Sequence, residues 1–415
     1  MKKGKTTFIL KADLPAYGGL SIGRCEGKVV MIKGAALPEE IVEVNIEEEK
    51  KDYYIASVTR IIEPSPYRIE PACNFFGSCG GCHLQYISYK RQVQLKEEIL
   101  RDCLKRLAKI EIDLAESIIH DNPWNYRFRG QFKISHEKIG FYREKTREVI
   151  DIDHCPLMVK EINEYLKKAK ILLKGLNLRE IHITNGDSAT VLVKVPTHAK
   201  STADRDELAS MFLNSGFSGL FIEAEDKEVL RYGKPYTTLK LENLKYTISP
   251  MSFFQSHWRL NQAIVKFIKD NLLPLKGKKV LDLYSGAGNF SLPLAMDAEV
   301  IAVEENPYAI EDGKRNLEIN NIKNCRFICS SAENFHVHIR DNFHILILDP
   351  PRLGLTNRVI NKILTIMPER IVYISCNPTT FSRDLKKLLA KYDIESIRMI
   401  DFFPQTFHIE SLTFL

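Results

Sequence analysis

The chain has 415 residues, 44% of them hydrophobic and 27% charged, with a formal charge of +6. That length exceeds one ordinary core and points to several domains. No run approaches the roughly 20 apolar residues that a membrane span needs, and the mild positive charge permits a polyanionic partner without demanding one. The opening "MKKGKTTFIL" is basic, but its apolar part is too short for a secretory signal, so a cytoplasmic protein is expected. Nine cysteines, an odd number unevenly spread, argue against a disulfide framework and for metal or catalytic duty.

Residues 1–62 read as short strands broken by glycine, as in "YGGLSIGRCEGKVVMIKGAALPEEIVEVNI", which predicts a small OB-like antiparallel barrel. Two prolines in "EPSPYR" (63–68) close it. This layout resembles a TRAM domain, an RNA-binding barrel. Residues 63–248 follow as a central, β-rich domain. Its cysteine-rich entry leads into an amphipathic helix over 86–110, expected to pack on the catalytic domain, and alternating segments such as "FRGQFKISHEKIGFYRE" and "IHITNGDSATVLVKV" come after it.

Cys73, Cys79 and Cys82 stand five and two residues apart among glycines, and Cys155 lies far downstream before a proline. Four thiolates suit either a 4Fe-4S cluster or zinc, and buried unligated thiols are the plainer alternative. His83 and His154 read as polar shell, and Cys25, Cys103, Cys325 and Cys329 as buried thiols. Lys90, Arg91, Arg101, Arg127, Arg129 and Arg143 have the charge to track phosphate, while Trp124, Tyr126, Phe128 and Phe141 have rings to stack bases. For most of these a solvated helix face and ordinary core aromatics explain the pattern as well.

From 249 to 415 strands alternate with helices, "KKVLDLY", "AEVIAVE", "CRFICS", "FHILILD", "RIVYIS" and "IRMIDFF", which predicts a Rossmann-like, doubly wound sheet. Ligands of such sheets bind outside the carboxyl ends of the strands. Those ends carry Tyr284-Ser285-Gly286, Glu304, Ser331, Asp349 and Cys376. In "VLDLYSGAGNFSLPLA" a small-residue turn opens a helix, but Ser291 replaces the third glycine of a dinucleotide fingerprint, so S-adenosylmethionine fits better than NAD. Glu304 is placed to take ribose hydroxyls. Cys376 ends a strand just before Asn377-Pro378 stops it, a position for a reactive rather than a packed thiol.

Five motifs in order, "SPMSFFQ" (249–255), "DLYSGAGNF" (282–290), "DPPRLG" (349–354), "SCNPTTFSRDL" (375–385) and "FPQTFHIE" (403–410), resemble the RNA uridine-C5 methyltransferase family. The resemblance implies that Cys376 adds to C6 of uracil, that Glu410 removes the C5 proton, and that Gln255, Tyr284, Gly286, Asn289, Glu304 and Asp349 surround S-adenosylmethionine. Ser331 stands where relatives usually carry Asp or Asn. The resemblance also favours 4Fe-4S over zinc for Cys73, Cys79, Cys82 and Cys155. The expected protein is then a monomer acting on RNA rather than DNA, with ribosomal RNA favoured and transfer RNA uridine-54 the alternative. A cytidine-C5 methyltransferase is disfavoured by Arg352, where a cysteine would be expected, and a non-catalytic RNA-binding protein by the presence of Cys376, Asp349 and Glu410. Without the motif match, Glu410 would read as a solvated charge near the end of the sequence.

Overall fold

The computed structural model describes residues 7–173, 176, 178–196, 202–225, 228–338 and 342–415. The basic opening at 1–6 lies outside them. Strands Thr7–Ala16, Leu20–Cys25, Lys28–Lys33, Ile41–Glu49 and Tyr53–Glu63 close into a barrel. Its interior takes alternate residues, Leu10 and Ala12, Val30 and Ile32, Val42 and Val44, as strand period demands. The proline-rich boundary is not a loose linker. Arg68 grips the fully buried Glu40 with two hydrogen bonds of 2.7 Å, and Glu40 also accepts from the backbone of Leu37 and Ser65. Those donors hold its carboxyl below the usual range against the opposing effect of burial.

The central region forms a seven-stranded sheet, in order Val229–Gly233, Gly219–Ala224, Ala189–Val195, Glu180–Asn185, Arg129–Ser135, Lys138–Tyr142 and Val149–Asp151. Two helices that the sequence reading omitted, Lys160–Leu172 and Thr202–Asn214, cover it with Ile162, Leu166, Leu208 and Phe212. Two of the residues offered as RNA contacts have structural places. Tyr126 is 1% exposed, and Arg129 donates at 2.7 Å to the carbonyls of Pro250 and Ser252, tying this sheet to the first catalytic motif.

The catalytic sheet has eight strands, Cys325–Cys329, Glu299–Glu304, Lys279–Leu283, Ile345–Leu348, Arg370–Ser375, Glu410–Phe414, Ser396–Ile400 and Ala115–Ile118. The first five are parallel, and Glu410–Phe414 runs antiparallel between its two neighbours. That strand was not anticipated, and it corrects the picture of a solvated Glu410: all five of its residues are buried. The hairpin Thr237–Leu241 and Leu244–Ile248 packs in the same core as this sheet, so the packing unit begins before residue 249. Its outer edge is closed by side chains. Asn320 exchanges hydrogen bonds of 2.9 and 2.7 Å with the backbone of Lys245, and Asn316, one helical turn earlier, does the same for Thr247 at 2.7 and 3.0 Å.

The helix read over 86–110 is α-helical from Tyr89 to Cys103, then widens to a π turn, Leu104–Ala108, before Lys109 ends it with φ 63°. Ile99, Leu100, Cys103 and Leu104 pack on the catalytic strands. On the same helix Lys96, 1% exposed, pairs with the fully buried Asp401 at 2.6 Å and donates to the Phe403 carbonyl at 3.0 Å. Breaking a buried pair strands a charge, so Asp401→Ala is expected to lose about 3–5 kcal/mol of unfolding free energy. Replacing Lys96 and Asp401 together by Met and Leu should recover most of that loss; urea titration of the three proteins checks both.

Candidate active site

The cofactor turn follows strand Lys279–Leu283 and packs three left-handed residues into five, Tyr284, Gly286 and Gly288, with φ of 64°, 55° and 95°. A Cβ on Gly288 would come within 2.9 Å of Leu292 and Phe327. At Gly286 the nearest atom to an added Cβ is the Phe253 carbonyl at 3.8 Å, so an open cradle separates the turn from the 249–255 loop. The helix after the turn is a single turn, Ser291–Leu294. Ser291, the residue in place of a third glycine, instead donates to the buried Asp282 at 2.5 Å.

Glu304 closes one side of the cradle. Its two oxygens accept from the Gly286 N–H at 3.0 Å and the Asn306 N–H at 2.8 Å, leaving lone pairs for ribose hydroxyls. Asn306 in turn donates to the Met251 carbonyl. The 249–255 loop is shaped by Asp312, which accepts from the Ser249 N–H and from the hydroxyls of Ser249 and Ser252 within 2.7–2.8 Å. At the end of that loop Gln255 reaches Asp349 at 3.5 Å. Gln255 Oε1 and Ser285 Oγ are buried without a partner. Asn289 exchanges amide hydrogen bonds with Asn261 at 2.7 and 3.0 Å, which braces the turn against the preceding helix Trp258–Leu272. Ser331 is half-buried just past strand Cys325–Cys329.

Cys376 is half-buried, two residues before helix Pro378–Leu388, whose N-cap Asn377 accepts the Thr379 N–H at 3.0 Å. Helix N-termini favour thiolate. Burial, with the Glu410 and Asp349 carboxyls facing it, pushes the thiol up to about 12, while the nearby Arg352 guanidinium pulls it down. Burial also raises Asp349 to about 7, and raises Glu410 well above the carboxylate range with Asp349 and Asp401 adding to the effect. Glu410 Oε2 is buried without a hydrogen-bond partner. A thiol, two carboxyls reluctant to ionise and one cation therefore share a crevice, an arrangement suited to nucleophilic addition with proton removal.

The segment before Glu410 is held from outside the catalytic sheet. Gln405, with φ 68°, accepts from the backbone of His83 and Leu84, and exchanges side-chain and backbone bonds with Gln92 at 2.9 and 3.0 Å. Sequence reading missed Lys96, Gln92 and His408 as parts of this site, though it set Arg352 on the same sheet edge. Lys96 and Gln92 sit on an amphipathic helix whose pattern marks them as solvent-facing.

Cys73, Cys79, Cys82 and Cys155 line one cavity of about 250 Å³, with Phe75, Phe141, Arg127 and His154. The strand Val149–Asp151 brings Cys155 to the other three. Among the described residues no group of three or more His, Cys, Asp or Glu closes to the spacing of a single metal ion. Burial lifts Cys82 to about 12 and Cys155 to about 11. Of the other cysteines Cys103 is buried as expected, but Cys329 is exposed, because its strand is the sheet edge.

This fold and crevice define an α/β protein whose strand ends gather a thiol, two buried carboxyls and an arginine. A profile of the tRNA (uracil-5-)-methyltransferase family matches residues 88–415, and the chain belongs to that family. It is 36% identical to an uncharacterized RNA methyltransferase of Aquifex aeolicus, over 98% of this chain and 97% of the relative. It is 32% identical to the 23S rRNA (uracil(1939)-C(5))-methyltransferase RlmD of Shewanella amazonensis, over 99% and 96%. The tRNA (uracil-54, C5)-methyltransferase of Pyrococcus abyssi, solved with S-adenosyl-L-homocysteine, superposes with TM-score 0.74 over 98% of each chain at 27% identity. The protein is thus an S-adenosylmethionine-dependent RNA uracil-C5 methyltransferase.

Asp282, beneath the cofactor turn, offers a pH test of burial. It is fully buried, and burial raises its carboxyl from 3.8 to about 7 despite the Ser291 bond. A raised value means the folded chain keeps the proton. That contribution to stability is complete below about pH 4 and disappears as pH rises through about 7, by on the order of 4 kcal/mol at most. Melting temperatures of wild type should fall between about pH 4 and 7, and Asp282→Asn should flatten that fall; parallel curves would contradict the assignment.

Proposed function

We propose that the protein methylates C5 of one uridine in 23S ribosomal RNA through a covalent Cys376–C6 adduct. The observation that carries this reading is the meeting of Cys376, Glu410, Asp349 and Arg352 in one crevice beside the Glu304 cradle. Uracil C5 is a weak nucleophile. Addition of the Cys376 thiolate to C6 places enolate character on C5, and S-adenosylmethionine supplies an electrophilic methyl. Glu410 then takes the C5 proton, the C5–C6 double bond re-forms, and the sulfur leaves as thiolate. Gln255, Tyr284, Gly286, Asn289, Glu304 and Asp349 line the cofactor side, and Arg352 steadies the thiolate.

Ribosomal RNA is preferred because the Shewanella amazonensis relative matches nearly end to end. Transfer RNA uridine-54 is the second reading, supported by the full-length likeness to the Pyrococcus abyssi enzyme. The barrel reads as a TRAM-type RNA grip, and the cytoplasm as the place of action. Nucleoside analysis of 23S and transfer RNA from a strain lacking the gene decides between the two RNAs: the one that loses 5-methyluridine is the substrate.

The four cysteines line one cavity, and the reading of a 4Fe-4S cluster there rests on their spacing and the family resemblance, since no three His, Cys, Asp or Glu among the described residues stand as they would around a metal ion. Cys73, Cys79, Cys82 and Cys155 would hold it, and it would lock the central region by cross-linking positions far apart in sequence. Anaerobically purified protein should be brown, and Cys79→Ser should bleach it. A colourless protein with one equivalent of zinc would overturn iron.

For the chemistry, Cys376→Ser should abolish adduct formation with 5-fluorouridine RNA and reduce turnover below detection. Glu410→Gln should slow turnover by roughly 10²–10⁴-fold and accumulate a methylated protein–RNA adduct on ordinary RNA, visible as a shifted band on a denaturing gel. A Cys376→Ser protein with full turnover would sink the mechanism.

A further inference from the structure

Four rings from three separate parts of the chain meet beside the catalytic crevice. Tyr17 belongs to the turn after the first barrel strand, His83 to the cysteine loop, and Phe407 and His408 to the segment leading to Glu410. Tyr17 meets Phe407 edge-on with ring centres 6.2 Å apart, His83 lies 4.3 Å from Phe407, and Phe407 lies 4.7 Å from His408. All four rings are half-buried.

The cluster borders the nucleophile. Arg352 Nη2 lies 3.3 Å from His408 Nε2, and the Arg352 carbonyl accepts at 3.1 Å from the side chain of Asn377, the neighbour of Cys376. Tyr17 packs on the apolar core of the catalytic sheet, and its phenol feels the charges of both Arg352 and Cys376. Gly18 and Gly19 have φ of 94° and 77°. A Cβ on Gly19 would stand 3.3 Å from Phe407, while one on Gly18 would meet nothing within 4 Å. The barrel turn is therefore pressed against Phe407 on one side and open on the other. Beside it Arg352 is exposed and Leu353 is 80% exposed, an apolar and cationic rim without protein cover.

The chemistry of Cys376 and Glu410 needs none of these rings. A uridine that enters the crevice must leave its stack, and the base next to it then loses a stacking partner. Rings beside a cation replace such a partner regardless of base identity. We propose that Tyr17, His83, Phe407 and His408 form a stacking site for the RNA base adjoining the target uridine, so that the barrel supplies one wall of the active site.

This rests on the reading of the protein as an RNA uridine methyltransferase, and the test separates the two by reading binding apart from turnover. The probes are RNA hairpins carrying 23S uridine 1939 and transfer RNA uridine 54, each also made with an abasic residue on either side of the uridine. For the hairpin that wild type binds, one abasic substitution should weaken binding by roughly 5- to 150-fold. Tyr17→Ala should weaken binding of the intact hairpin by a similar factor and be indifferent to the abasic residue, with KM raised and kcat near wild type. Tyr17→Phe, which keeps the ring, should bind as wild type does. If Tyr17→Ala weakens the intact and abasic hairpins equally, or neither, the ring only cements the barrel to the catalytic sheet and the stacking site is refuted. If wild type discriminates the abasic hairpin but methylates nothing, the stacking site stands and the methyltransferase reading falls.

Discussion

Lys96 and Asp401 meet where no water can help either of them. The pair joins a helix that begins after the cysteine loop to the end of a catalytic strand, so neither half can settle without the other. Beside it the Gln92 amide bonds Gln405, and Gln405 receives the backbone N–H groups of His83 and Leu84. The segment 401–409 is thereby fixed by contacts from the central region rather than from its own sheet. Glu410 begins the strand that follows, so its position inherits this clasp. A buried pair of this kind contributes little net stability; what it adds here is a single permitted docking of two regions.

The crevice itself is electrostatically frustrated. Asp349, Glu410 and the Cys376 thiol all lie close enough that ionising one makes the next harder to ionise. Arg352 opposes the thiolate and Glu410, and Lys96 adds to its pull on Glu410. The cost of housing these groups together is carried by the rigid surroundings: the parallel strand ends, the Asn377 cap and the Glu410–Phe414 strand locked between two neighbours. The same crowding gives Glu410 a basicity that an exposed carboxylate lacks, which suits it to a carbon acid.

Sequence reading found what local pattern encodes. Alternation and punctuation placed the barrel and the parallel strands, because each signal lies within a few residues. The strand-end placement of Cys376, before Asn377-Pro378, and of Glu304 was legible for the same reason. Long-range pairing was not legible. "ESLTF" is five residues with no turn signal to frame it, and only the sheet shows that it inserts between two strands distant in sequence. Lys96 looked like a helix surface residue because its partner lies 305 positions away. Nor was the partner of Ser291 legible: its place as the missing fingerprint glycine could be read, but not the bond its hydroxyl makes to Asp282.

The hairpin at residues 237–248 has an outer strand that no other strand accompanies. An unaccompanied edge is where one protein molecule recruits another into a growing sheet. Here Asn316 and Asn320, spaced one helical turn apart, satisfy both backbone groups of Lys245 and Thr247. Two amides on a helix thus imitate the hydrogen-bonding face of a strand and occupy the place a stray chain would take. One of the two, Asn316, also donates to the Ala287 carbonyl of the cofactor turn at 3.2 Å, so the side chain that blocks a stray strand also steadies the glycine turn.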